Sequence, residues 1–199
     1  MYTVDIGSYN LSITDQSISF AGLALRIEEI EGISIKRSDV YLNGAWVRGV
    51  RVIELRGPRR LRIDCSQSVP DRGDLERLFG SAFDPIWSAV GPGLVSRFLS
   101  KVQNGETVSI GNVRVDVEGV YVDGNWKFLW LKAKPKLVPW IDLKMFSTEG
   151  VLFLQSIRDA RFRSEISFNE TENALVLSRA IAFLHRDNNW VKLKRSPTI

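Results

Sequence analysis

The sequence predicts an α+β chain made of two β-rich units, each a run of strands followed by a helix. Three observations carry this. The first is a loose internal repeat, in which Leu11–Leu25 (LSITDQSISFAGLAL) matches Val108–Val122 (VSIGNVRVDVEGVYV) at a constant shift. Ser12 then meets Ser109, Ile13 meets Ile110, Ile18 meets Val115 and Gly22 meets Gly119. The second is alternation of apolar and polar residues in both copies, the period of a half-buried strand. The third is a switch to helical period over Asp71–Gln103 and again after Asn169. Internal self-similarity of this kind sets the architecture.

Taken in order, Tyr2–Ile6 alternates and ends at Gly7, as a short strand does. Leu11–Phe20 is the first copy of the repeat. Leu23–Ile35 has apolar residues at spacing three (Ile27, Ile30, Ile33) but is rich in β-branched residues, and reads as strand with a bend. Val40–Val47 is a hairpin around Asn43-Gly44, a pair suited to the positive φ of a type I′ turn. Val50–Leu55 and Arg60–Cys65 form a strand pair around Gly57-Pro58. Leu61, Ile63 and Cys65 share one face; Arg60, Arg62 and Asp64 share the other.

Asp71 is placed to cap a helix, with Asp74 in its first turn. Pro85 marks a new helical start, Gly91-Pro92-Gly93 a break, and Asn104-Gly105 the end, so Asp71–Gln103 reads as helix in two or three pieces. The second copy begins at Val108. A hairpin is expected around Asp123-Gly124, then the cluster Pro139–Leu143 (PWIDL), then strands at Val151–Gln155 and Arg161–Phe168. Asn169 with Glu172 spells a capping box for a last helix, whose core stripe is Ala174, Leu177, Ile181 and Leu184. The later parts match at a slightly different shift, with Gly49-Val50 against Gly150-Val151. A rival alignment sets Val40–Trp46 against Val120–Trp126.

Strands first and helix last resembles the pleckstrin-homology-like (PH-like) fold, and the second copy is most similar to bacterial PH-like domains. Val113–Val122, Val138–Phe146, Gly150–Gln155, Phe162–Phe168 and the helix after Asn169 stand in that family's order. The resemblance implies two units, 1–104 and 105–199. Each would be a curved antiparallel β-sheet barrel or sandwich closed by a C-terminal helix, with extra helix between the units. It implies little about function, because the fold serves lipid, peptide and structural roles.

The bulk properties narrow the functional classes. The chain has 199 residues, a net charge of +4, one cysteine and one histidine. No apolar run approaches the roughly 20 residues that span a bilayer. The N-terminal MYTVDIGSYN has no signal-peptide pattern. A lone cysteine forms no internal disulfide and fits a reducing cytosol. One histidine and one cysteine supply no zinc cage, and no phosphate-cradling glycine loop occurs. Cys65 reads as a small buried hydrophobe and His185 as a cation at a helix C-terminus. Glu28, Glu29 and Glu31 form an acidic cluster better suited to a solvated edge than to acid–base chemistry.

The sharpest candidates are basic. Arg48, Arg51, Arg56, Arg59, Arg60 and Arg62 crowd two adjacent strands and their turn, and guanidinium forks suit phosphate oxygens. In the PH-like resemblance, an arginine-rich turn between early strands implies an inositol-phosphate site, although that family's usual lysine and arginine pattern is absent from Ser12–Leu25. Lys132, Lys134 and Lys136 form a second row near Trp126 and Trp130, a composition suited to stacking single-stranded nucleic acid. Trp126, Phe128 and Trp130 also alternate as a core face does. The expectation is a non-enzymatic cytosolic interaction module without cofactors. It would bind a protein partner or an anionic phospholipid surface, at which it would be peripheral, with nucleic acid as the alternative. The 71–103 helical region, through Trp87 or Phe98, is the expected route to a homo-oligomer.

Overall fold

A computed structural model describes residues 1–66, 71–124 and 133–193. The chain is α+β, with four antiparallel sheets among the described residues. It divides into two compact units, Met1–Leu94 and Val95–Ile199.

In the first unit β1 (Tyr2–Ile6), β2 (Tyr9–Ile13), β3 (Ser17–Phe20) and β4 (Leu23–Arg26) form a four-stranded meander. A 3₁₀ turn, Ile27–Glu29, leads to a three-stranded meander of β5 (Gly32–Leu42), β6 (Ala45–Arg56) and β7 (Arg60–Asp64). The spacing of three in Leu23–Ile35 is thus a helical turn between two strands rather than one bent strand. Asn43 and Gly44 take φ values of 50° and 80°, which gives the expected tight turn of primed type between β5 and β6. The ladder aligns Ile33, Leu55 and Leu61 in one row and Ile35, Ile53 and Ile63 in the next. All of these except Ile35 are buried, with Leu11, Ile13, Ile18, Phe20 and Leu25 from the first sheet.

Asp71 caps the helix that follows, accepting the Asp74 amide at 2.9 Å. That helix, α1 (Arg72–Gln103), is continuous, with Pro85 and Pro92 inside it. The expected breaks are absent, and at Pro85 the cost of the lost bond is offset. Pro85 has no N–H for the Ser81 carbonyl one turn back. The Tyr2 hydroxyl donates to that carbonyl at 3.0 Å instead. At Gly91 the missing Cβ makes room for the Trp87 indole, whose atoms would lie 2.6–2.9 Å from it. The buried apolar side chains are Leu75, Phe79, Ala82, Ile86, Val90, Leu94, Phe98 and Val102. Steps of four advance the stripe by about 40° each, so it winds about 200° round the axis from Ala82 to Val102. Phe98, expected on the surface, is only 5% exposed.

The second unit repeats the order. β8 (Val108–Ile110), β9 (Val113–Val115), β10 (Gly119–Gly124) and β11 (Ala133–Pro139) form a four-stranded meander, and a 3₁₀ turn at Trp140–Asp142 follows. Then come β12 (Leu143–Thr148), β13 (Val151–Ser156) and β14 (Arg163–Ser167), and the helices α2 (Ala174–His185) and α3 (Trp190–Leu193). Asp123 and Gly124 lie at the end of β10, and the expected turn beyond them falls outside the described residues. The PWIDL cluster is a turn between sheets, with Trp140 1% exposed and its Nε1 donating to the Val117 carbonyl at 3.1 Å. α2 starts later than the capping box implied. Its N-cap is Asn173, in the left-handed region (φ 62°) with no side-chain capping bond.

The order of elements repeats, but the sequence repeat runs one strand out of step with it, setting β2, β3 and β4 against β8, β9 and β10, and the pairing register differs as well. Ile13 faces Ile18 across β2 and β3, whereas their counterparts Ile110 and Val115 face Val113 and Val108. The matched glycines also differ. Gly22 turns a hairpin at φ 78°, while Gly119 lies in a strand where a Cβ would overlap the Val138 carbonyl oxygen. Gly49 lies inside β6, opposite Asp39, while Gly150 sits in the β12–β13 turn, so that second match fails as well. Strand pairing stays within the four sheets, and among the described residues no barrel closes.

Candidate functional site

The pleat of the β5–β6–β7 sheet sorts the arginines. Successive strand residues point to opposite faces. Register puts Val40 opposite Arg48, Val52 between Lys36 and Asp64, Glu54 opposite Arg62, and Arg56 opposite Arg60. One face therefore holds Lys36, Arg48, Arg56, Arg60 and Arg62 against Glu54 and Asp64, five cations to two carboxylates and a net charge of +3. Arg59 stands in the turn at the edge of this face. Lys36 joins the site only through the cross-strand pairing; nothing near it in the sequence marks it.

Arg51 has the opposite parity and is no surface group, being 3% exposed. Its Nε donates to Glu76 at 2.9 Å. One terminal nitrogen donates to Asp39 at 2.9 Å and to Glu76. The other donates to the Ser38 and Val50 carbonyls at 3.0 and 2.9 Å. All five guanidinium donors are used. Burial works against the Arg51 charge, but the bonds from Glu76 and Asp39 outweigh it and raise its pKa. The Asp39 carboxyl feels the same burial, and bonds from Trp46 and Arg51 with the Arg51 and Arg72 charges hold it below the carboxylate range. Arg51 thus ties the hairpin to the start of α1 and has no donor left for a ligand.

The remaining arginines divide by partner. Arg62 pairs with Glu54 at 3.4 Å and Asp64 at 3.2 Å, and Arg56 with Glu31 at 3.8 Å. Arg48, Arg59 and Arg60 are exposed and pair with none of the described residues. Arg48 stands eight residues from Arg56 along β6, about 27 Å in an extended strand, so the group is a row along the sheet rather than one pocket. Between Arg48 and Arg62 lies an open cleft of about 480 Å³, lined also by Trp46, Gly49, Asp64 and Ser66.

The acidic cluster is arranged for ion pairing. Glu28 and Glu29 bind Arg26 at 3.0 and 2.6 Å, and Glu31 reaches Arg56. Among the described residues, no three His, Cys, Asp or Glu side chains group to hold a metal ion. No described helix is long and apolar enough to cross a membrane. Cys65 is fully buried, and burial pushes its thiol up to about 12. His185, expected as a cation, instead has its pKa lowered by burial; it bonds to the Trp140 backbone, and its Nε2 is buried with no partner.

In the second basic row Lys134 and Lys136 are exposed, with Lys136 Nζ 4.5 Å from the Phe162 ring centroid. Lys132, Trp126, Phe128 and Trp130 fall outside the described residues. No protein-family model, curated protein or solved structure matches the chain.

Proposed function

We propose that the chain is a non-catalytic interaction module of two PH-like units, and that the first docks on an anionic phospholipid surface. The PH-like reading rests on one order of elements occurring twice: four strands, a 3₁₀ turn, three strands, a helix. The docking reading rests on the +3 face of the β5–β6–β7 sheet, where Arg48 and Arg60 have no partner among the described residues. A sheet face presents its cations in one plane, which suits a charged plane better than a small enclosed ligand. Each basic residue near an anionic leaflet contributes about 1 kcal/mol, so reversing two lowers binding at least about thirtyfold.

Vesicle sedimentation tests this. The protein should pellet with phosphatidylserine or phosphoinositide vesicles at low salt and release as salt rises. Arg59→Glu with Arg60→Glu, both exposed, should weaken pelleting without altering the melting temperature. No pelleting at low salt, or pelleting indifferent to this pair, removes the reading. A salt-dependent mobility shift with single-stranded oligonucleotides and no vesicle binding would favour the nucleic-acid alternative instead.

A further inference from the structure

The basic face runs out along an arm whose tip the fold does not require. β7 ends where Asp64 pairs with Val52, so β5 and β6 continue past it to their turn as a two-stranded hairpin. The end of that hairpin is apolar. Val40, Tyr41, Leu42 and Val47 are 46, 50, 66 and 54% exposed. The second unit supplies an internal comparison. Its β12–β13 hairpin pairs from Thr148 and Val151, and β14 reaches the turn, because Val151 also pairs with Ser167. Its tip is Ser147, Thr148 and Glu149, all exposed and polar. Two hairpins at the same place in the order of elements thus differ in both length and polarity. The stem of the extension packs on α1, where Gly49 meets Leu75 and Asp39 meets Arg51 and Arg72, but core packing does not demand the exposed apolar tip beyond it.

Resting on the docking reading above, we propose that the Val40–Val47 arm inserts its apolar tip into the interfacial layer of an anionic membrane. Register places Val40 and Leu42 on the same face as Arg48, Lys36 and Arg60. The apolar end therefore enters the same surface that the cations approach. Tyr41 and Trp46, paired across the ladder, have the amphipathic rings that favour the headgroup level. Charge decides against a second copy as the occupant, since two copies meeting on this face would oppose two surfaces of net +3.

The test is Leu42→Cys carrying an environment-sensitive fluorophore on the full chain. The native Cys65 is fully buried, so the label goes to the arm. Phosphatidylcholine vesicles containing phosphatidylserine should shift the emission to the blue, and phosphatidylcholine alone should not. A parallel sedimentation uses Tyr41→Ser with Leu42→Asp, which should lower vesicle partition at least about tenfold at an unchanged melting temperature. Pelleting without an emission shift overturns the arm proposal and leaves docking by the basic face standing. No pelleting at all overturns both. An emission shift that grows with protein concentration in the absence of vesicles overturns the membrane assignment in favour of self-association.

Discussion

Removing the Arg51 side chain is the perturbation with the most to teach about the first unit. Arg51→Met keeps a long apolar stem but leaves Asp39 and Glu76 without their shared cation. Breaking a buried ion pair from one side costs about 3–5 kcal/mol, because the remaining charge is left uncompensated. Glu76 is 39% exposed and Asp39 17%, and each keeps a second arginine, Arg37 at 3.3 Å and Arg72 at 3.4 Å, so part of that is relieved and the lower end, about 3 kcal/mol, applies here. For a unit of this size, that is a fall in melting temperature of about 12–24 °C. Arg51→Lys should lie between, because an ammonium has three donors for five acceptor contacts. The triple variant Arg51→Met, Asp39→Asn, Glu76→Gln should recover much of the loss, since it removes both carboxylate charges and the arginines that lose them as partners, Arg37 and Arg72, are about half exposed to water. Urea and thermal unfolding of the four proteins measure all of this. If Arg51→Met loses less than about 1 kcal/mol, or the triple variant is worse than the single, the guanidinium is not the strut described here.

Three further outcomes follow from the geometry. Gly119→Ala should cost about 3 kcal/mol or more in the second unit, because the new methyl overlaps the Val138 carbonyl and β10 must part from β11; an unchanged unfolding midpoint would contradict the register. Tyr2→Phe should cost about 0.5–1 kcal/mol by unpairing the Ser81 carbonyl, and should cost less in a Pro85→Ala background, where the helix supplies its own N–H. His185 titrates lower in the folded protein than unfolded, so the unfolded chain takes up the proton first. Stability should therefore decline as pH drops below about 6.5 and level off once the folded pKa is passed, and His185→Gln should flatten that slope; parallel slopes would refute the burial of this ring.

Much of the fold is written in local pattern. Alternation at Leu61, Ile63 and Cys65 assigns the buried side of β7, and Asn43-Gly44 and Asp71 mark a turn and a cap that the structure contains. What the sequence hides depends on distant partners. Pro85 looks like a break until Tyr2 is seen on the freed carbonyl of Ser81. The repeat aligns β2 and β3 with β8 and β9, one place off in the order of elements, and their pairing differs because the β2–β3 and β8–β9 loops differ in length. The basic candidates show the same divide. Val50-Arg51-Val52-Ile53 is nearly continuous in apolar residues, so parity along it is unreadable without a neighbouring strand. Arg51 becomes a core residue only beside Asp39 and Glu76, 12 and 25 positions away. Lys36 becomes a surface partner of Glu54 only through the ladder.

The winding apolar stripe of α1 constrains how such a chain can change. Adding or deleting one residue between Ala82 and Val102 would rotate every later apolar position by about 100° relative to the earlier ones. Length variation among descendants of this sequence is then expected in its strand connections, with α1 kept to a fixed count even where its residues drift.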